Sequence, residues 1–251
     1  MQLKIGTYNI CHCCDYPAFA PTYERNSKTV NIKQIADIIK ALDLDVIGLN
    51  EVFNFGNEGY EPYINQTEKL AKLAGYKYYY YAQGHDYEWT DIGNAILSKY
   101  PLKNIKTYKI PTLPESERTE NVWHEDRLIL CADTLIDGSC IRFIITHYGL
   151  AQYELNAISN KVCELIDKSA HPVILIGDLN ITPDSQHISR LEQRLINCAK
   201  ATNNHDYTCD SYNPHIQIDY IFVPKNAKIL NYDVLKVIAS DHFPIFSKIE
   251  L

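Results

Sequence analysis

The chain of 251 residues lacks any run approaching the ~18 consecutive apolar residues of a membrane span. Its first residues, MQLKIGTYNI, lack the charged and apolar blocks of a secretory leader and pass straight into a strand-like run, so a cytoplasmic protein is the expectation. No Gly/Ser linker, low-complexity tract or short-period repeat divides it, so residues 1–251 are expected to form a single domain. Basic surplus is missing too: 24 Lys and Arg stand against 31 Asp and Glu, a net charge of −7. Proteins that grip nucleic acid through its phosphates present a basic surface. The acidic balance therefore disfavours tight duplex binding and leaves positive charge near a phosphate to a local basic groove or to a metal ion. What is present suffices for a packed core, with 46% hydrophobic and 22% charged residues.

Apolar runs mark the strands. LKIGTYNI (3–10), DVIGLNEV (45–52), YKYYYYA (76–82), NAILSKYP (94–101), PVILIGDLN (172–180), IDYIFV (218–223) and FPIFSKIEL (243–251) read as strands, with NYDVLKVI (231–238) a weaker one. Residues 127–147 read as a hairpin around Asp137-Gly138. Helical spacing appears at Ile35, Ile38, Ile39 and Leu42, with Asn26 or Ser27 as the cap, over Glu61 to Ala74 with Gly75 as the stop, at Leu155 to Ile166, and over Ser185 to Leu195. Thr112 to Asp126 reads as a long loop. Mixed strands and helices with hairpins fit two packed sheets with helices outside better than one parallel doubly wound sheet.

Several buried runs end in chemically capable residues. TYN ends in Asn9, LNE in Glu51, ITH in His147, IGDLN in Asp178 and Asn180, IASDH in Asp241 and His242, and QID in Asp219. One strand-end Asp is an ordinary turn former, but six such endings exceed what turns require. Strands that deliver carboxylates and imidazoles to their ends make a rigid site. Asp178 and Asn180 share one side of an extended segment while Leu179 faces the core, and the adjacent Asp241 and His242 face opposite ways. Carboxylates and amides are hard ligands that suit Mg²⁺ or Mn²⁺ better than Zn²⁺. Metal, water-activating base and donors together are the parts of phosphoester hydrolysis.

The pieces TYNI, LNEV, GNAILSKYP, THYGL, GDLNITPDS, IDYIFV and SDHFPIF occur in this order across residues 7–246. In these the chain resembles the endonuclease/exonuclease/phosphatase superfamily, which includes pancreatic-type deoxyribonucleases, abasic-site endonucleases, sphingomyelinases, inositol polyphosphate 5-phosphatases and deadenylases. The resemblance implies an α/β fold, a four-layer αββα sandwich around two mixed sheets. It implies Glu51 as the principal Mg²⁺ ligand, with Mn²⁺ as the alternative ion and Asn9 and Asp241 nearby. Asp178 would activate water, Asn180 would hold phosphate or nucleophile, His242 would contact phosphate with Asp219 orienting it, and His147 would be the second imidazole. Asn94 would orient a neighbouring ligand. Arg127, opening a strand after the long loop, is read either as a phosphate clamp or as a surface ion pair. The family's THL is THYGL here, so Tyr148 and Gly149 would reshape the pocket rim. Its LQE is LNE, with Asn50 keeping the amide, and Gln217 stands where an Arg often precedes IDYIF. A Trp before the GD motif is absent, Ile176 standing there, which weakens the inositol-phosphatase reading. The implied function is hydrolysis of a small phosphodiester or phosphomonoester, with a nuclease as the alternative and an inactive binding module less favoured.

Eight cysteines include Cys11, Cys13 and Cys14 in CHCC, directly after TYNI. Zinc needs four ligands. Adjacent residues are poorly placed to share one tetrahedral ion and no partner CxxC lies elsewhere, so semi-buried thiols in a loop are expected.

Overall fold

The computed structural model describes residues 1–16, 30–55, 64–87 and 90–251. Its strands are β1 (Gln2–Asn9), β2 (Val46–Val52), β3 (Tyr78–Asp86), β4 (Asp91–Ser98), β5 (Leu102–Ile110), β6 (Arg127–Ile136), β7 (Ser139–Thr146), β8 (Val173–Asp178), β9 (Leu195–Asn197), β10 (Asp219–Pro224), β11 (Lys228–Val234) and β12 (Ile245–Glu250). The helices are α1 (Ile32–Leu42), α2 (Gln66–Ala74), α3 (Gln152–Asp167), α4 (Gln186–Glu192) and α5 (Cys198–Ala201). Strands form two six-stranded sheets, ordered β11-β12-β1-β2-β4-β3 and β5-β6-β7-β8-β10-β9. Each is antiparallel except for one parallel pair, β1 with β2 and β7 with β8.

Alternation along the strands sends side chains to two different cores. Ile5, Val46, Ile96, Leu130, Phe143, Ile145, Ile176 and Ile221 fill the space between the sheets. On the outer face of the first sheet, Ile35 and Ile39 of α1 and Leu70 of α2 pack with Tyr8, Ile47 and Leu49. On the outer face of the second, Ile158 and Val162 of α3 and Leu191 of α4 pack with Ile144, Leu175 and Phe222. The result is the four-layer αββα sandwich expected. Among the described residues no helix is long and apolar enough to cross a membrane.

Local signals explain the boundaries. Asn31 caps α1, its Oδ1 accepting the Gln34 N–H at 3.2 Å; the expected caps, Asn26 and Ser27, lie outside the described residues. Gly75 ends α2 with φ 86°, and Asp137 and Gly138, both at positive φ, turn β6 into β7 as the hairpin signal requires. The tyrosine run does not alternate cleanly: Tyr79 and Tyr80 are both exposed, because β3 is an edge strand.

The two parallel pairs gather polar strand ends at one edge of the sandwich. Asn9 and Glu51 come from the same ends of β1 and β2, and His147 and Asp178 from the same ends of β7 and β8. Antiparallel β10 begins beside the end of β8, with Asp219 opposite Asp178. The residue before Asp178 must be glycine: Gly177 has φ 149°, and a Cβ there would stand 1.9 Å from the Thr146 carbonyl oxygen. A backbone atom cannot swing aside as a side chain can. Gly177→Ala is therefore expected to lower unfolding free energy by about 3 kcal/mol or more, whereas Gly138→Ala, with φ 80° and open space around it, should lose only about 1 kcal/mol. Urea denaturation of the two variants checks this, and equal losses would refute it.

Candidate active site

The two sheets are tied at this edge by two buried amides. Asn50 Nδ2 donates to Asn94 Oδ1 at 2.8 Å and to the Thr146 carbonyl at 3.1 Å, while its Oδ1 accepts the Asp178 N–H at 2.9 Å. Asn9 Nδ2 donates to Glu51 Oε1 and to Asp178 Oδ2, both at 3.0 Å. Its Oδ1 accepts the Cys11 N–H at 3.1 Å, and Ser240 Oγ donates to its carbonyl at 2.7 Å. Asn94 Nδ2 reaches the Leu128 carbonyl at 3.2 Å.

Asp178 is the hub. Oδ1 accepts the Asn180 N–H at 2.8 Å, and Oδ2 lies 3.5 Å from both His147 Nε2 and His242 Nε2. Burial pushes its carboxyl up to about 7, against the opposing pull of His242. His242 Nδ1 lies 2.8 Å from Asp219 Oδ2. Burial alone would strip its charge, but Asp219 and Asp178 outweigh that and hold the imidazole well above its ordinary range. Asp219 is in turn fixed by Thr208, whose Oγ1 accepts the N–H groups of Ile218 at 3.1 Å and Asp219 at 3.2 Å.

His147 behaves oppositely. Burial first, then Arg127 and His242, drive it well below the usual imidazole range, so the ring is neutral near pH 7. Arg127 Nη1 stands 3.1 Å from its Nδ1. A guanidinium only donates, so Nδ1 accepts and the ring proton sits on Nε2, facing Asp178 Oδ2; Asn180 Nδ2, itself a donor, lies 2.9 Å from Nε2 and is not its acceptor. Arg127 is itself buried and paired with Glu125 Oε2 at 2.9 Å.

Glu51 and Asp241 are the carboxylates of this edge without an ion-pair partner among the described residues. Burial, then Asp241, raises the Glu51 carboxyl above its ordinary value. A paired, partly buried carboxylate set of this kind has the donor chemistry of a hard cation site. Asp178, Asp219 and His242 also bring ligand-type atoms within 4.8 Å of one another, so this buried cluster too carries metal-binding donor types.

The sequence profile of the Endonuclease/Exonuclease/phosphatase family matches residues 6–242. The chain belongs to that family. Its members are hydrolases that act on phosphoester bonds. No curated protein matches by sequence. Solved structures with the same fold include the endonuclease/exonuclease/phosphatase from Beutenbergia cavernae DSM 12333, 22% identical with a TM-score of 0.78, covering 100% of this chain and 72% of that one. The mannosyl-6-phosphatase of Bacteroides thetaiotaomicron VPI-5482 is 17% identical with a TM-score of 0.73, covering 99% and 100%. Truncated Caenorhabditis elegans TDP2 is 16% identical with a TM-score of 0.66, covering 100% and 98%.

Within this family's fold the strand-end residues named from sequence, Asn9, Glu51, His147, Asp178, Asn180, Asp219, Asp241 and His242, gather at one edge of the two sheets. Leu179 is buried as expected, but Asn180 lies beyond β8 with φ 51°, so a left-handed turn rather than an extended strand brings its amide beside His147. Three residues stand elsewhere than expected. The Tyr148 ring is fully buried in the core beneath α3, and only its backbone touches this edge, the carbonyl accepting Asn180 Nδ2 at 2.9 Å and the N–H donating to the Asp178 carbonyl at 3.0 Å. Asn94 spends both amide ends on protein partners. Arg127 is neither a free clamp nor a surface pair, because it is sequestered between Glu125 and His147. His85 and Asp86 lie on β3, His124 sits between Glu154 Oε1 at 3.2 Å and the Glu120 carbonyl, and Trp89 lies outside the described residues.

Sequence reasoning overlooked the linking role of Asn50, together with Glu125, Thr208 and Ser240. Only Asn50 left a signal, an amide inside an otherwise apolar run. The opposite charge states of the two imidazoles are measurable. In metal-free protein near pH 7, ¹⁵N spectra of the imidazoles should show His242 cationic and His147 neutral with its proton on Nε2. Asp219→Asn should lower the His242 pKa by at least about one unit. Two neutral rings in the wild type would refute the assignment.

Proposed function

We propose that the chain is a divalent-metal-dependent phosphoesterase, with Mg²⁺ (or Mn²⁺) held by Glu51 and Asp241 beside Asn9, and a small phosphoester as substrate. The observation that carries this reading is the Asn9 amide, whose Nδ2 joins Glu51 to Asp178 at 3.0 Å on each side. It ties a carboxylate pair of cation-site character to an Asp–His chain of acid–base character. The ion, when bound, supplies positive charge to the phosphate oxygens.

The chain's own residues do the rest. Asp178, with its carboxyl near 7, accepts a proton from the attacking water. Asn9 and the Asn180 N–H hold its two oxygens in place. His242, charged against Asp219, directs Nε2–H toward a phosphate oxygen. Neutral His147 offers a second Nε2–H, and the Asn180 amide stands beside it. Arg127 acts from behind, fixing the His147 tautomer, and Asn94 acts through Asn50. Residues 1–251 work as one domain in this reading, in the cytoplasm. The acidic balance of the chain supports a small substrate over duplex nucleic acid, and the name of the Bacteroides mannosyl-6-phosphatase supports a sugar phosphate as one candidate.

The test pairs bis(p-nitrophenyl) phosphate with p-nitrophenyl phosphate, each with Mg²⁺ and with chelator. Turnover should require the metal, and Asp178→Asn should lower it at least about 100-fold with an unchanged fold. Wild-type-like turnover in that variant would overturn the mechanism. Diester cleavage alone would favour the nuclease alternative, and monoester release the small-molecule one. Glu51→Gln should raise the Mg²⁺ concentration needed for half-maximal turnover by about tenfold or more; an unchanged metal titration would remove Glu51 from the ligand set.

A further inference from the structure

The turn that follows β1 carries a second cluster, which the hydrolytic reading does not use. Cys11, His12 and Cys13 have φ values of 43°, 45° and 57°. Three consecutive left-handed residues that are not glycine are rare, and such conformations concentrate at ligand clamps and active sites. Here the turn is secured on several sides. Cys13 N–H donates to the Ile10 carbonyl at 2.8 Å, and Cys14 N–H to the Cys11 carbonyl at 2.9 Å. Gln66 Nε2 donates to the His12 carbonyl at 2.7 Å, and the His12 ring stacks on Phe53 with centroids 4.5 Å apart and planes 10° apart.

The left-handed path sorts the side chains. Cys13 goes into the core with Tyr8, Ile35 and Leu49. Cys11 and Cys14 come together instead, with their sulfurs 3.2 Å apart. The ligand atoms of Cys11, His12 and Cys14 all lie within 4.8 Å of one another. Adjacency in sequence had counted against a shared ion. The backbone removes that objection, because the two thiols belong to a C-x-x-C turn and the intervening imidazole closes on the same side.

We propose that Cys11, His12 and Cys14 form a binding site for a thiophilic divalent cation, Zn²⁺, separate from the carboxylate site of Glu51 and Asp241. Two sulfurs and one imidazole nitrogen are the donor set that zinc takes and that Mg²⁺ avoids. With Zn–S bonds of about 2.3 Å, two sulfurs on a tetrahedral ion stand ~3.8 Å apart, so the thiols need to part by only about half an ångström. On binding, the two S–H protons leave to solvent and two Zn–S bonds form, and the two thiolates balance the charge of the ion. Three protein ligands leave the fourth position for water or a nearby carboxylate.

Two rivals account for less. A Cys11–Cys14 disulfide would require contraction to about 2.05 Å and gives His12 no part. Asp133, Cys140 and His171 form another triad of similar spacing, but both Asp133 oxygens are held by Arg142 at 2.7 and 2.8 Å, which leaves no place for an ion.

The test uses the full chain, reduced and stripped of metal, titrated with Co²⁺. One equivalent should produce thiolate-to-cobalt charge-transfer absorption with tetrahedral visible bands. Zn²⁺ should abolish them at stoichiometry and excess Mg²⁺ should not. Cys14→Ser should lose the absorption, and His12→Phe, which keeps a ring against Phe53, should weaken Zn²⁺ binding about tenfold or more. Cys13→Ala should keep both. If Cys14→Ser fails to fold, His12→Phe decides. Absence of thiolate–cobalt absorption in the wild type overturns the proposal, as does its survival in Cys14→Ser or undiminished Zn²⁺ affinity in His12→Phe. The readout is ligation rather than turnover, so failure of the phosphoesterase reading would leave it unaffected.

Discussion

Two sheets packed through isoleucine, leucine and phenylalanine have no directional bond between them, and apolar contact alone does not fix their relative position to the tolerance that chemistry needs. The Asn50 side chain supplies the direction. Its amide spans from the first sheet to the Thr146 carbonyl and the Asp178 N–H of the second, and to Asn94 on its own sheet. All its polar atoms are used, which is the condition under which a buried amide orders a structure rather than weakening it. Removing it would strand the Asp178 N–H in an apolar wall at a cost of about 1–3 kcal/mol. Asn9 repeats the device one strand away, so the hub carboxylate is held from both backbone and side chain.

That positional lock allows charges to stand close without collapsing into pairs. Asp241 stands close enough to Glu51 to raise its carboxyl, and among the described residues no salt bridge reaches either, a configuration that costs stability in the bare protein. Arg127 does not neutralise them, because Glu125 holds it and His147 receives its donor. Glu125 is in turn gripped by the Tyr87 hydroxyl. The same arrangement separates the two imidazoles. Burial and a facing guanidinium push one below the ordinary imidazole range, while two carboxylates hold the other above it against burial, although both point Nε2 at the same Asp178 oxygen.

Much of this was legible in the sequence for a physical reason. A buried strand is a continuous apolar run, so the residue that breaks the run at its end is conspicuous; Glu51, His147, Asp178 and Asp219 all stand out this way. β5 did not stand out, since an edge strand rich in lysine, with a register shift between Lys103 and Lys106, shows no clean alternation. Tyr148 misled because THYGL suggested an exposed rim, while the chain turns at that point and carries the ring under α3. Arg127 misled because composition reports a charge but not its partners. The left-handed turn at Cys11–Cys13 was not readable at all: no glycine or asparagine occupies it, and its local hydrogen bonds are joined by contacts from Gln66 and Phe53, distant in sequence.

That turn also settles the orientation of the most consequential amide. A carboxamide can be reversed without changing its shape, and its partners decide which end is which. The Cys11 N–H is a backbone donor and can only be met by oxygen, so Asn9 Oδ1 must face it. Nδ2 then has to point at Glu51 and Asp178, where both neighbours are acceptors. Were the turn right-handed, the Cys11 N–H would leave this position and Asn9 would be free to rotate. The unusual backbone of CHCC and the bridge at this edge are therefore one structural choice: a strained turn holds a single side-chain amide in the orientation that joins the Glu51 carboxylate to that of Asp178.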